Sequence, residues 1–154
     1  MPDHAAPEAL RIRPAVVGDR DGLIALYRQF RSRPVEDVAQ ADAIWARMLA
    51  MEALTVLVAE RHGTLVGTCL LVVVPNLTSE GRSWAIIENV VTDAAHRRQG
   101  IGRAVLAAAV ARAWELGCYK VALMTGSRQD STLRFYEGAG FRRGTKTSFE
   151  IRAP

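Results

Sequence analysis

The stretch Arg97-Arg98-Gln99-Gly100-Ile101-Gly102 joins two arginines to two glycines, a combination that suits an anion. Glycines at 100 and 102 let several backbone N–H groups converge on one point, at the positive end of the helix that follows. A phosphate there is stabilised without any side chain, and Arg97, Arg98 and Arg103 add full charges around it. The chemistry is therefore the holding of a phosphorylated ligand. Gly100-Ile101-Gly102-Arg103-Ala104-Val105 lacks the third glycine of the dinucleotide fingerprint, and no Gly-Lys-Ser/Thr follows as in an NTPase loop. The residues alone leave two readings open, a phosphate cradle of another kind or a plain strand-to-helix turn.

Charge distribution sharpens the first reading. Residues 1–96 carry 9 basic and 12 acidic side chains, net −3, whereas residues 97–154 carry 11 basic and 4 acidic, net +7. The basic half begins at the turn, and such a field draws a polyanion, either a phosphorylated cofactor or nucleic acid. Nucleic acid is the weaker candidate, because no basic recognition helix is present and aromatic residues are not interleaved with the arginines. His4, His62 and His96 show no ligand spacing with one another or with Cys69 and Cys118, so no metal site is expected. The two cysteines are expected to be buried thiols. No apolar run reaches the ~20 residues of a membrane helix. The first residues lack the basic-then-apolar order of a secretory signal. A cytoplasmic protein without membrane association is expected, folded as one domain over residues 1–154 with residues 1–7 flexible.

The turn must be positioned by a strand before it and a helix after it. Trp84 to Val91 reads as the strand, apolar except for Glu88 and Asn89. Gly102 to Leu116 reads as the helix, with Val105, Leu106, Ala109, Val110 and Ala113 on one stripe and Gly117 as its stop. Lys120 to Met124 is a short strand, so this unit is a right-handed crossover between parallel strands. Upstream, Leu10 to Pro14 alternates like an edge strand. A helix with Asp19 in its first turn follows, presenting Leu23, Leu26, Tyr27 and Phe30 and broken at Arg31-Ser32-Arg33-Pro34. A second helix spans about Val38 to Met51. Leu54 to Arg61 and Thr64 to Pro75 form a hairpin through His62-Gly63. Downstream, Ser131 to Glu137 is a short helix with Asp130 or Ser131 as its cap, and Thr147 to Arg152 alternates like a final strand.

Arg97 to Gly102 after a Val-Val strand end, with Phe135-Tyr136-Glu137-Gly138-Ala139-Gly140-Phe141 one strand and one helix later, resembles the GNAT superfamily of acyl-CoA-dependent N-acetyltransferases. The resemblance implies a mixed α/β (α+β) domain: a twisted central sheet of six or seven strands, about four flanking helices, and fourth and fifth strands that are parallel and splayed around the cofactor. It implies that acetyl-CoA lies with its pyrophosphate on the amides of Gln99, Gly100, Ile101 and Gly102, with Arg97, Arg98 and Arg103 near its phosphates. A bulge in the fourth strand would free backbone groups of Asn89, Val90 and Val91 to bond the pantetheine arm.

The same resemblance implies an acetyl transfer by direct attack of a small-molecule primary amine in a ternary complex. Glu88, the acid of its apolar strand, reads from its chemistry as taking the proton, directly or through water, from an amine that is protonated at neutral pH, or as orienting the substrate. The resemblance gives Tyr136 the role of donating a proton to the departing thiolate. One backbone N–H near Val90 or Val91 would polarise the thioester oxygen. Where many members carry asparagine before the short helix, this chain has Gln129-Asp130-Ser131. Ile87-Glu88-Asn89-Val90-Val91 and Gly117-Cys118-Tyr119-Lys120 are similar to stretches in glucosamine-phosphate N-acetyltransferases, which are dimeric, and a homodimer is expected. Two other functions fit the same motifs, a regulator that binds acyl-CoA without turnover and an acetyltransferase acting on a protein amine.

Overall fold

The computed structural model describes residues 9–30 and 33–154. Five strands form one sheet in chain order: β1 (Arg11–Pro14), β2 (Leu54–Arg61), β3 (Thr64–Val74), β4 (Trp84–Thr92) and β5 (Val121–Leu123). Neighbours are antiparallel except β4 and β5, which are parallel as the crossover requires. The β2–β3 hairpin closes through His62 and Gly63, both with positive φ (50° and 71°), the twist that matches paired strands.

The sheet has five strands where six or seven were expected. The missing one is Thr147 to Arg152, which alternates as anticipated but, among the described residues, has no strand beside it. Alternation specifies which side chains share a face, and a ladder also needs a partner for the backbone groups. Phe149 and Ile151, which would share one face, are 95% and 97% exposed.

Helices cover both faces. On one side lie α1 (Arg20–Tyr27) and α2 (Val38–Ala50), packed through Leu23 and Trp45 onto Val56 and Val58. On the other lies α3 (Ile101–Glu115), which buries Ile101, Val105, Leu106, Ala109 and Ala113 against Leu57, Ala59, Cys69, Leu71 and Ile87. The alternation of Val56 and Val58 with Leu57 and Ala59 is what divides β2 between these two layers. Helix α4 (Asp130–Gly138) sets Phe135 and Tyr136 against the α3 side. Among the described residues no helix is long and apolar enough to cross a membrane.

Helix α1 stops before Phe30, which stacks on Tyr27 at 5.8 Å between ring centroids. The break anticipated at Arg31-Ser32-Arg33-Pro34 comes after the helix has already ended at Tyr27, and Arg33 and Pro34 are non-helical; Arg31 and Ser32, like the anticipated flexibility of residues 1–7, lie outside the described residues. Asp37 caps α2 by accepting from the Gln40 amide at 2.7 Å. Helix α4 begins at Asp130 after Gln129 and has no side-chain cap; the cap anticipated from Asp130 or Ser131 is not made, because both residues already lie inside the first turn.

Two irregularities shape the region beside the phosphate turn. Thr68 pairs with Val91 and Leu70 with Glu88, so Cys69 alone opposes both Asn89 and Val90. This is a bulge in β4, with Asn89 at φ 50°. On its other side β4 is paired with β5 only at Ala85, Ile86 and Ile87. From Glu88 to Thr92 the β5-facing side of the strand therefore has no strand partner among the described residues, which is the anticipated splay.

Candidate active site

The phosphate turn is built by a sequence of local conformations. After β4, Asp93 caps a single helical turn, Ala94–His96, by accepting from the Ala95 amide at 3.1 Å. His96 Nδ1 lies 2.7 Å from the same carboxylate, and His96 first, then Gln29, holds the Asp93 carboxyl below the usual carboxylate range. Gln29, two residues beyond the end of α1, clasps this point: its Nε2 donates to Asp93 and its Oε1 accepts from the Ala94 amide, each at 2.8 Å. Arg98 (φ 61°) and Gly100 (φ 78°) then reverse the chain into α3. Gly100 is the N-cap residue and supplies no side-chain bond, so the first amides of α3 remain available to a ligand. Those are donors of the kind a pyrophosphate requires, which is the fit expected for acetyl-CoA on Gln99 to Gly102.

The two glycines serve different ends. Gly100 is needed for its backbone conformation, since a Cβ there would meet nothing. Gly102 is buried, and a Cβ there would come within 3.0 Å of both the Phe135 ring and Thr92 Oγ1. It lets α4 close onto the start of α3. Arg61, from the end of β2, donates to Gln99 Oε1 at 2.7 Å and braces the turn from a third direction. Arg97 and Arg98 flank the turn. The Arg103 guanidinium lies against Gly138, where a Cβ would approach its Nη2 to 2.9 Å, at the negative end of α4.

Register places Glu88. It stands opposite Leu70, a neighbour of the α1–α2 cluster, while Ile87 opposite Leu71 belongs to the α3 layer. Glu88 is thus half-buried on the α1–α2 face, at the first position where β4 loses its β5 partner. Tyr136 is half-buried and edge-to-face with Phe135 at 5.0 Å. Burial, and then the charge of Glu88, raise the Tyr136 phenol above its ordinary value, so it holds its proton throughout the neutral range. The charge of Glu88 is thus felt at the Tyr136 phenol. Asn89 is exposed at the bulge, Val90 packs on the α3 layer and Val91 is buried.

Between α1 and α2 lies a cleft of about 270 Å³, walled by Leu23, Ile24, Ile44, Trp45 and Met48, with Asn89 at its β4 end. Tyr27 also lines it, and its hydroxyl is buried with no hydrogen-bond partner among the described residues. Thr68 and Asn89 are near enough to act on that phenol, yet neither meets it with hydrogen-bond geometry; Thr68 Oγ1 instead donates to Leu57 O at 2.8 Å. Tyr27, Gln29 and Arg61 were not singled out from the sequence as site residues. Tyr27 sat within an ordinary apolar helical stripe, and the other two reach the site only through tertiary pairing.

Comparison with known proteins agrees with this geometry. Residues 20–141 match the model of the acetyltransferase (GNAT) family. A solved structure from Agrobacterium tumefaciens str. C58, assigned as an acetyltransferase, is 43% identical with a TM-score of 0.89, covering 93% of this chain and 99% of that one. A Bacillus halodurans C-125 protein described as a transcriptional regulator is 26% identical with a TM-score of 0.85, covering 94% of this chain and 100% of that one. Glucosamine 6-phosphate N-acetyltransferase of Trypanosoma brucei brucei is 38% identical over 80 residues, which span 52% of each chain, so the match extends over about half that relative's length. The uncapped turn at Gly100, the bulge at Asn89 and the unpaired side of β4 thus occur within a family match that includes all three, and the chain belongs to the GNAT family of acetyltransferases.

Proposed function

We propose that this chain, acting as a single domain in the cytoplasm, transfers an acetyl group from acetyl-CoA to the primary amine of a small molecule by direct attack in a ternary complex. The observation that carries the reading is the unpaired side of β4 from Glu88 to Thr92, which runs from an acid–phenol pair to the uncapped amides at Gly100. Backbone groups of Asn89, Val90 and Val91 hold the pantetheine arm as an added strand would, and Gln99 to Gly102 with Arg97, Arg98 and Arg103 hold the phosphates. Acetyl-CoA supplies an activated thioester. Glu88 accepts the proton that the amine must lose before its lone pair is free. A carbon–nitrogen bond forms, the carbon–sulphur bond breaks, and Tyr136 Oη gives its proton to the leaving sulphur. Burial of the Tyr136 phenol keeps that proton available at neutral pH.

A cleft of about 270 Å³ that reaches Asn89, the residue after Glu88, favours a small acceptor over a protein terminus. Thiol release from acetyl-CoA, measured over a panel of amines, tests the activity. Glu88→Gln is expected to lower kcat at neutral pH with partial recovery at high pH, and Tyr136→Phe to slow transfer about 100-fold or more with little change in acetyl-CoA binding. Wild-type rates in both variants would remove the assigned roles. The Bacillus halodurans relative favours a second reading, a regulator that binds acyl-CoA without turnover; retained binding with no thiol release over the whole panel would establish it. The exposed, unpaired alternation of Phe149 and Ile151 supports a homodimer in which this segment finds a ladder on a second copy. Sedimentation of the full chain against a chain lacking residues 147–154 reads that directly.

A further inference from the structure

The cleft between α1 and α2 has a composition that narrows the acceptor, an inference that rests on the acetyl-transfer reading above. Its walls are the side chains of Leu23, Ile24, Ile44, Trp45 and Met48, and two arginines, Arg20 and Arg33, stand with them. Arg20 is already committed to Asp21 and to Asp42, so its charge is matched by two carboxylates before any ligand arrives. Arg33 is exposed. A sugar phosphate would require polar groups along the walls for its hydroxyls, and among the described lining residues, these two arginines apart, the cleft offers them at the β4 end. There Tyr27, whose hydroxyl is buried without a partner among the described residues, and Asn89 both line the cleft, with Glu88 the preceding residue of the bulged strand on the same α1–α2 face.

A buried hydroxyl without a partner is costly, and a ligand that satisfies it regains that cost on binding. The volume, near the lower limit of small-molecule sites, suits a compact ligand. We propose that the acceptor is a primary amine carried on an apolar alkyl or aryl body: the body fills the cleft between α1 and α2, and the amino group reaches the Tyr27 hydroxyl and Asn89 beside Glu88. Tyr27 Oη accepts from the amine, and the walls discriminate against hydroxylated acceptors, whose polar groups would be stranded against Ile44, Trp45 and Met48.

The test compares 2-phenylethylamine with glucosamine 6-phosphate as acceptors for the intact chain. kcat/KM is expected to favour 2-phenylethylamine by at least about 10-fold, the discrimination that even one methylene gives in an apolar pocket. Tyr27→Phe is expected to raise KM for the amine about five- to ten-fold while leaving KM for acetyl-CoA unchanged. Ile44→Asp is expected to erase the preference, with its melting curve and acetyl-CoA binding reporting that the fold persists; if it does not persist, Tyr27→Phe still decides. A preference for glucosamine 6-phosphate, or an unchanged amine KM in Tyr27→Phe, would overturn the proposal and leave acetyl transfer standing. If acetyl-CoA binds but no amine turns over, the transfer reading fails, and calorimetric titration with 2-phenylethylamine then reads the cleft alone: saturable binding weakened by Ile44→Asp supports an apolar-amine site, and no binding overturns it.

Discussion

Replacing Gly67 by alanine should damage the phosphate turn, although Gly67 belongs to β3 and touches no ligand. A Cβ at residue 67 would lie 2.8 Å from Ile101 Cγ2, with Val91 O at 3.4 Å and Ala59 Cβ at 3.5 Å on its other sides. Two effects compete. Alanine stiffens the unfolded chain, worth about 0.4–1 kcal/mol in favour of folding where the native backbone accepts it. Overpacking a filled core costs about 1–3 kcal/mol. The second wins here, because Ile101 is 1% exposed and cannot swing into solvent. To regain ordinary contact near 3.4 Å it must retreat by about 0.6 Å. Ile101 is the first residue of α3, so its retreat carries the uncapped amides with it. Gly67→Ala is therefore expected to lower Tm by roughly 2–10 °C and to raise KM for acetyl-CoA about five-fold, the cost of one weakened hydrogen bond to a charged group. A double-mutant cycle isolates the cause. Ile101→Leu removes the offending Cγ2 at a cost below about 1.5 kcal/mol and should recover at least ~0.5 kcal/mol in the Gly67→Ala background. Additive stabilities, or an unchanged KM for acetyl-CoA in Gly67→Ala, would refute the idea that β3 packing sets the position of the turn.

Other substitutions probe separate contacts. Asp19 is buried, accepts from the Val16 amide at 2.7 Å and pairs with Arg13 at 2.6 Å; the Arg13 hydrogen bond, the largest influence, holds its carboxyl below the usual range. Because the folded value is depressed, this stabilisation is complete above the unfolded value of about 3.9 and is lost as pH falls through the folded one. Asp19→Asn should cost about 2 kcal/mol at pH 7, and the difference in Tm from the wild type should shrink below about pH 4, as thermal melts across pH would show. Arg61→Ala removes the 2.7 Å brace on Gln99 and is expected to raise KM for acetyl-CoA about three-fold with kcat unchanged, the result of losing one exposed hydrogen bond at the edge of the site. Cys118 is buried and its thiol is pushed upward by burial, so Cys118→Ala should retain kcat within about two-fold. Lost turnover with folding and acetyl-CoA binding intact would instead give the thiol a chemical role.

What could be read from the chain before folding was whatever is encoded by neighbours in sequence. The turn from Gln99 to Gly102, the α3 stripe ending at Gly117, and the His62-Gly63 hairpin are all local, and each stands in the structure as anticipated. Glu88 was legible as an acid in an apolar strand, but its face was not, because the bulge at Asn89 breaks the period-2 alternation that would otherwise assign it. Only the pairing of Leu70 with Glu88 settles that it faces α1 and α2. Tyr27 illustrates the opposite limit. Its spacing with Leu23 is that of a core position, and the distinguishing fact, a hydroxyl buried without a partner, exists only once Thr68 and Asn89 from two other strands are brought near it. The final segment fails for a third reason: Thr147 to Arg152 has a strand's pattern, yet a strand is a relation between two stretches of backbone, and the described residues supply no second stretch. Local chemistry thus marks a turn suited to an anion and an acid in an apolar strand, while the walls of the α1–α2 cleft and the buried Tyr27 hydroxyl arise from contacts between elements far apart in sequence, which is why no motif in the chain announces them.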